Sequence, residues 1–190
     1  MAVVTALREL PRGKVDVELD GAPWRRVTAG AVVRAGLTVG RTLDRETARA
    51  LGRELRHSRA LARATRALSV SDRSRRALDE RLAAAGVGAE PRREALETLE
   101  RAGLVDDARF AAGRATALAE RGHGDAAIRC DLERQGLASE LVAEAIAALE
   151  PERERALRLA ERRGRGPKTA RWLAGRGFEP DTVEELAGEG

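Results

Sequence analysis

Leu82-Ala-Ala-Ala-Gly86-Val87, Leu132-Glu-Arg-Gln-Gly136-Leu137 and Leu173-Ala-Gly-Arg-Gly177-Phe178 are three passes of one pattern. Each sets a leucine four residues before a glycine and an apolar residue just after it. Eight residues before the glycine stand Leu78, Ile128 and Thr169, so the first two passes carry i, i+4 apolar pairs on one helix face. Ten residues after it stand Leu96 and Ile146, and the third pass closes earlier with Val183 and Leu186. A glycine placed there suits a helix C-terminus that needs a positive-φ residue, and Gly103 and Gly164 read the same way. The repeat glycines lie 50 and 41 residues apart, room for about three short helices per unit. A trio of that size buries its stripes only against itself and its neighbours, so the pattern predicts a tandem array. The helix–glycine–helix step within each unit resembles a helix-turn-helix corner.

Upstream of the repeats the period changes. Val15, Val17 and Leu19 alternate with Asp16 and Glu18, which predicts a strand. Asp20-Gly21 then reads as a two-residue hairpin turn, with Ala22 to Val27 as the returning strand. Val3, Val4 and Leu7 supply a third strand. From Leu43 onward no strand signal remains, and Asp44 is placed to cap a helix through Thr47, Leu51 and Leu55. The expected fold is mainly α: three tandem three-helix repeats in an elongated array, after a small β-hairpin module. The expected division is a β-containing module over 1–42, a linker helix over 43–58, and repeats over 59–104, 105–149 and 150–190. A hairpin is marginal alone, so the module must pack on something helical.

Composition narrows the function. The 190 residues include 33 arginines, only Lys14 and Lys168 as lysines, no tyrosine, and just four aromatic rings, Trp24, Phe110, Trp172 and Phe178. Distributed base stacking needs a platform of rings and is excluded. The formal net charge is +4, unevenly spread. Residues 1–24 carry 3 basic and 4 acidic groups, 25–81 carry 15 and 6, and 82–190 carry 17 and 21. By that averaging, 25–81 is the segment suited to DNA or an acidic protein surface, and 82–190 the segment suited to protein. Cys130 is the single cysteine, which excludes an intrachain disulfide and fits a reducing compartment. With only His57 and His123 there is no zinc set, and no cofactor is expected. The N-terminus lacks a basic leader followed by an apolar run, and no stretch approaches the roughly 20 apolar residues of a membrane span. A cytoplasmic protein without a membrane partner is expected.

No P-loop, GxSxG, HExxH or CxxC is present, and the expectation is a non-enzyme. The cations carry the signal instead. Arg45, Arg49, Arg53, Arg56, Arg59, Arg63 and Arg66 recur every three or four residues and, if helical throughout, line one face for about 30 Å. Such a row suits a phosphate backbone or an acidic groove; it also suits a solvated face. Arg73-Ser74-Arg75-Arg76 opens the next helix, with Asp72 or Ser71 as its expected cap. Corresponding basic positions recur as Arg129 and Arg134, then Lys168, Arg171 and Arg176. At the junction of the first two repeats, Asp106 or Asp107 is expected to cap a helix whose Phe110 packs inward. His123 reads as loop, and Cys130 as a buried or half-buried small side chain.

Gly103-Leu-Val-Asp106-Asp107-Ala-Arg109-Phe110-Ala111 resembles the Gly-aromatic-Leu-Asp-Asp-x-Arg-Phe-Ala signature of the RecX family of recombination regulators. Leu68-Ser69 with Arg73-Ser74 and Leu82 to Gly86 resembles its first repeat. Gly122 to Gly136, and Arg176-Gly177-Phe178 with Asp181 and Val183, are similar to its second and third. Leu19-Asp20-Gly21 and Gly36-Leu37 resemble the N-terminal extension of part of the family. The order of these fragments covers nearly the whole chain. Val70 stands where an aromatic is common, Ala77 where Glu is usual, Ala85 where a basic residue precedes the glycine, and Arg92 at a usually apolar position. The resemblance implies a monomer that binds the RecA filament and single- or double-stranded DNA without sequence preference. It implies a regulator that depresses ATPase, strand-exchange and co-protease activity in recombination, DNA repair and the SOS response. A helix-turn-helix transcriptional regulator is the alternative; it requires a two-fold dimer and one base-reading helix.

Overall fold

The computed structural model describes residues 2–188; the expected packing of the Leu186 side chain lies outside the described residues. Four strands and ten helices are present among them, and they form two compact units. One unit joins residues 1–70 to 79–102, and the other joins 71–78 to 103–190.

In the first unit, β1 (Ala2–Leu10), β2 (Lys14–Leu19) and β3 (Ala22–Thr28) form an antiparallel meander. Asp20 and Gly21 both take positive φ, 49° and 81°, as the hairpin reading requires. The β1–β2 turn uses positive φ at Arg12, where no Asn-Gly or Asp-Gly signal announces it. Val4, Val15, Val17 and Val27 point to one face and pack on Ala31, Val32, Leu37 and Leu51. This is the helical support that a hairpin needs. Two short elements depart from expectation. Thr28 accepts from the Ala31 amide at 3.2 Å and starts α1 (Ala29–Arg34), whose Gly30 and paired valines are poor helix formers. A two-residue strand β4 (Thr42–Leu43) then pairs with Ala2 and Val3, so strand structure reaches Leu43 itself.

Helix α2 (Arg45–Leu68) is capped by Asp44, whose carboxylate accepts from the Thr47 amide at 2.7 Å. It runs unbroken through residues 58 and 59, so the expected linker helix and the first helix of repeat 1 are one element. Its first half gives Leu51 and Leu55 to the sheet core. Its second half buries Ala60, Ala64 and Ala67, and α2 packs along α4 (Ala89–Arg101). Arg92 occupies its usually apolar place by binding Asp79 and the Val87 carbonyl at 2.8 and 2.9 Å.

Helix α3 (Arg75–Ala84) belongs to both units, its start grouping with the second. Ser74 caps it, accepting from the Ala77 amide at 3.1 Å, in place of the expected Asp72 or Ser71. The second unit continues with α5 (Asp107–Glu120), α6 (Asp125–Arg134) and α7 (Ser139–Ala147). It ends with α8 (Glu152–Arg163), α9 (Pro167–Ala174) and α10 (Pro180–Gly188). Ala111, Ala115, Ile128, Leu132, Leu137 and Val142 form one core, with Phe110 half-buried against it. Ala156, Ala160, Leu173 and Phe178 form another. The repeat glycines Gly86, Gly136 and Gly177 share φ of 74°, 76° and 78°. Asp106 caps α5 through the Arg109 amide at 2.9 Å, while Asp107 reaches across to accept from the Arg75 amide at 2.7 Å.

Two of these glycine corners are sockets. Ser74 Oγ donates to the Gln135 carbonyl at 2.6 Å, and Arg76 lies so close to Gly136 that a Cβ there would sit 2.9 Å from the Arg76 Cβ. One repeat further on, the Gly124 amide donates to the Arg176 carbonyl at 2.9 Å, and the Ala126 amide to Gly177 at 3.2 Å. A Cβ on Gly177 would sit 2.6 Å from that of Ala127. Ser74 and Gly124 each stand twelve residues before their own glycine. The second helix of a repeat therefore begins inside the glycine corner of the next.

Candidate functional site

The arginine row of α2 is the first candidate. At 100° per residue, its seven members fall within an arc of roughly 140°. All seven are exposed, and among the described residues none of them forms an ion pair. The nearest acid drawn into a pair on this helix, Glu54, bonds Arg34 instead. A row of this kind gains little by folding, because exposed cations of one sign repel.

Two recesses shape the row. Arg49, Arg53 and Arg56 flank a shallow one floored by Ala48 and Gly52. Arg56, Arg59, Arg63 and Arg66 line a second, of about 500 Å³, closed by Ala60, Val87 and Pro91. Its wall is the Ala85–Gly88 corner, the repeat-1 counterpart of the two filled sockets. Here the corner is open, and a Cβ on Gly86 would meet nothing within 4 Å. Arg63 Nη1 donates to the Ala85 carbonyl at 2.6 Å, taking the acceptor that a helix start takes in the other two repeats.

The other predicted cations fall in different settings. Arg73 is half-buried, with an Nε that is buried and lacks a hydrogen-bond partner. Arg75 and Arg76 lie at the α3 start, where Arg75 gives its amide to Asp107 and Arg76 packs on Gly136. Arg129 and Arg134 are exposed on α6, and Arg134 lies 3.6 Å from Cys130 Sγ. Cys130 is itself exposed, a correction to its expected burial: it stands on the outer side of α6, two residues from the fully buried Ile128. Between those arginines, Asp131 is engaged by Arg114, whose hydrogen bond holds its carboxyl below the ordinary range. Lys168 and Arg171 are exposed on α9, and Arg176 is half-buried with Nη1 on the Arg121 carbonyl at 2.7 Å.

Comparison with known proteins gives these features a setting. The family described as "RecX, second three-helix domain" matches residues 106–146, the span of α5 to α7. A "Regulatory protein RecX" of Xanthomonas oryzae pv. oryzae is 33% identical over 150 residues, covering 74% of this chain and 94% of that protein. Another, of Stenotrophomonas maltophilia, is 36% identical over 113 residues, covering 54% of this chain and 69% of that protein. The chain belongs to the RecX family. A crystal structure of regulatory protein RecX shares the fold at a TM-score of 0.84 and 20% identity, covering 98% of both chains. A RecX from Lactobacillus salivarius aligns at 0.60 and 19%, over 69% of this chain and 94% of its own.

Within this RecX chain, the sequence picked out Lys168, Arg171 and Arg176 but not Arg162, Arg163 and Arg165 beside them. From Arg162 to Phe178 stand Arg162, Arg163, Arg165, Lys168, Arg171 and Arg176, with no carboxylate among the 17 residues. Averaging charge over 82–190 hid them; a window of one helix and one turn exposes them. Arg155 was also missed, for the opposite reason. It is 5% exposed, binds the Glu150 and His123 carbonyls at 2.9 Å each, and pairs with Asp125. Among the described residues no group of three or more His, Cys, Asp or Glu converges, and no helix is long and apolar enough to cross a membrane.

Proposed function

We propose that this RecX chain binds the filament that RecA forms on DNA and restrains its ATPase, strand-exchange and co-protease activities. The reading places the protein in the cytoplasm as a monomer that engages single- and double-stranded DNA without sequence preference, and gives it no chemistry of its own. The α2 row carries it: seven exposed guanidiniums, without ion pairs among the described residues, along about 30 Å of one helix face. Guanidinium forks suit both phosphates and the carboxylates of an acidic groove. The first unit supports it too, because α2 buries Ala60, Ala64 and Ala67 and packs along α4, which fixes the face that the row occupies.

The experiment is RecA's DNA-dependent ATPase on single-stranded DNA, with this protein added in molar excess. Hydrolysis is expected to fall. The charge-reversed variant R49E/R53E/R56E is expected to bind the filament at least tenfold more weakly while melting at the wild-type temperature. Unchanged hydrolysis with the wild-type protein sinks the proposal. A discrete footprint on genomic fragments transfers it to a sequence-reading regulator.

A further inference from the structure

We infer that the exposed start of α9 and the end of α8 form a second nucleic-acid contact, which grips the phosphate backbone by charge and reads no sequence. This deepens the proposed function on its DNA side and places a contact in the second unit, separate from the α2 row.

The repeat frame locates it. Twelve residues before each repeat glycine lies the start of a second helix. In repeats 1 and 2 that start, Ser74 to Ala77 and Gly124 to Ala127, is seated in the next glycine corner. The third counterpart falls at Arg165, just ahead of α9. Arg165, Pro167 and Lys168 are exposed, and a Cβ on Gly164 or Gly166 would meet nothing within 4 Å. The same position in the fold that elsewhere docks on protein is here open to solvent.

Its chemistry selects the partner. Arg162, Arg163, Lys168 and Arg171 are all exposed, and none of the four makes an ion pair among the described residues. Glu161 and Glu179 bound the segment on either side, and no acid lies within it. Arg163 and Arg176 both sit over the Trp172 ring, at 4.2 and 4.7 Å. The indole holds two guanidiniums together without neutralising either, so the positive field is concentrated and in place before any ligand arrives. With its ring engaged by arginines, Trp172 is not offered as a stacking platform. Among the described residues the exposed large apolar side chains are Trp24, Val33, Val39, Val70 and Leu104, none of them in this segment. The buried core of a protein interface is typically apolar and poor in charge, and the exposed side chains of this segment are mostly cations. A phosphate backbone needs cations and close access, and the bare Gly164–Gly166 turn offers both.

The test titrates the full-length protein, without RecA, onto fluorescent single-stranded DNA from 50 to 300 mM salt. Relative to wild type, R162Q/K168Q/R171Q is expected to lower the log–log salt slope by about 2 and to weaken binding roughly tenfold or more at 0.1 M salt. All three side chains are exposed, and unchanged melting confirms that the fold persists. The charge-retaining R162K/K168R/R171K is expected to keep the wild-type slope. Wild-type protein that does not bind, or a glutamine variant with unaltered slope, overturns the inference. So does a glutamine variant that keeps its DNA slope but loses affinity for RecA filaments, which assigns the surface to protein. If ATP hydrolysis by RecA is unaffected while the slope still drops, only the filament proposal fails.

Discussion

A methyl group added at Gly177 would lie 2.6 Å from the Cβ of Ala127 and 2.7 Å from its amide nitrogen, at a φ of 78°. Gly86 has nearly the same φ, 74°, and open space around it. The pair separates backbone strain from docking. Gly86→Ala is expected to cost about 1 kcal/mol, the penalty of a left-handed alanine. Gly177→Ala adds overpacking against a backbone that cannot turn aside, for roughly 2–5 kcal/mol. Thermal melts of the two variants side by side check this, and equal losses would show that the corner is not a socket. A second residue-scale expectation concerns acid. Arg114 lowers the Asp131 carboxyl below its ordinary value of 3.8, chiefly by hydrogen bonding. A depressed folded value means that the folded state binds fewer protons, so the stabilisation is present above about pH 3.8 and is lost as pH falls through the lowered value. The melting-temperature gap between wild type and Asp131→Asn should therefore be widest near neutrality and close on acidification below pH 4.

On α2, stability and binding pull on different faces. Gly52 lies mid-helix among the arginines, and an added Cβ would touch only Arg56 Nη1, at 3.4 Å. Gly52→Ala is expected to stabilise the protein by about 0.5–1 kcal/mol, because alanine loses less backbone freedom in a helix. A shift in DNA affinity along with it would show that the bare patch admits a phosphate. The elements also show what a one-dimensional reading can reach. The glycine frame, the Asp44 cap, an α5 cap at Asp106 or Asp107, and the Asp20-Gly21 hairpin were legible because each rests on neighbours in sequence. Helix α1 was not, since Gly30, Val32 and Val33 are poor helix formers and the helix is held by Ala31 and Val32 in the sheet core. Nor was Ser74 as the α3 cap, whose hydroxyl also donates to Gln135, 61 residues away. The α9 cations were visible as letters, but only the neighbouring repeats show that their place in the frame is normally occupied.

For the whole molecule, charge is distributed by unit more subtly than by segment. Each unit has its own cationic surface, one on α2 and one at the start of α9. If both touch nucleic acid independently, their contributions to the salt slope add. Combining R49E/R53E/R56E with R162Q/K168Q/R171Q should then lower the slope by the sum of the two separate effects. A combined loss no greater than either alone would mean that only one surface meets DNA at a time.

An open Gly86 corner in one unit and an exposed helix start in the other are shaped as the two halves of a joint. Copies of a chain built this way can in principle couple head to tail without limit, as open heterologous contacts do. Arg63 stands in the way, stoppering the Gly86 corner by its bond to Ala85, with Arg59 and Arg66 beside it. The end that would have to enter brings Lys168 and its neighbouring arginines, so like charge meets like. Sedimentation at low ionic strength should accordingly show a single monomeric species, and mass growth with concentration would show the stopper to be ineffective.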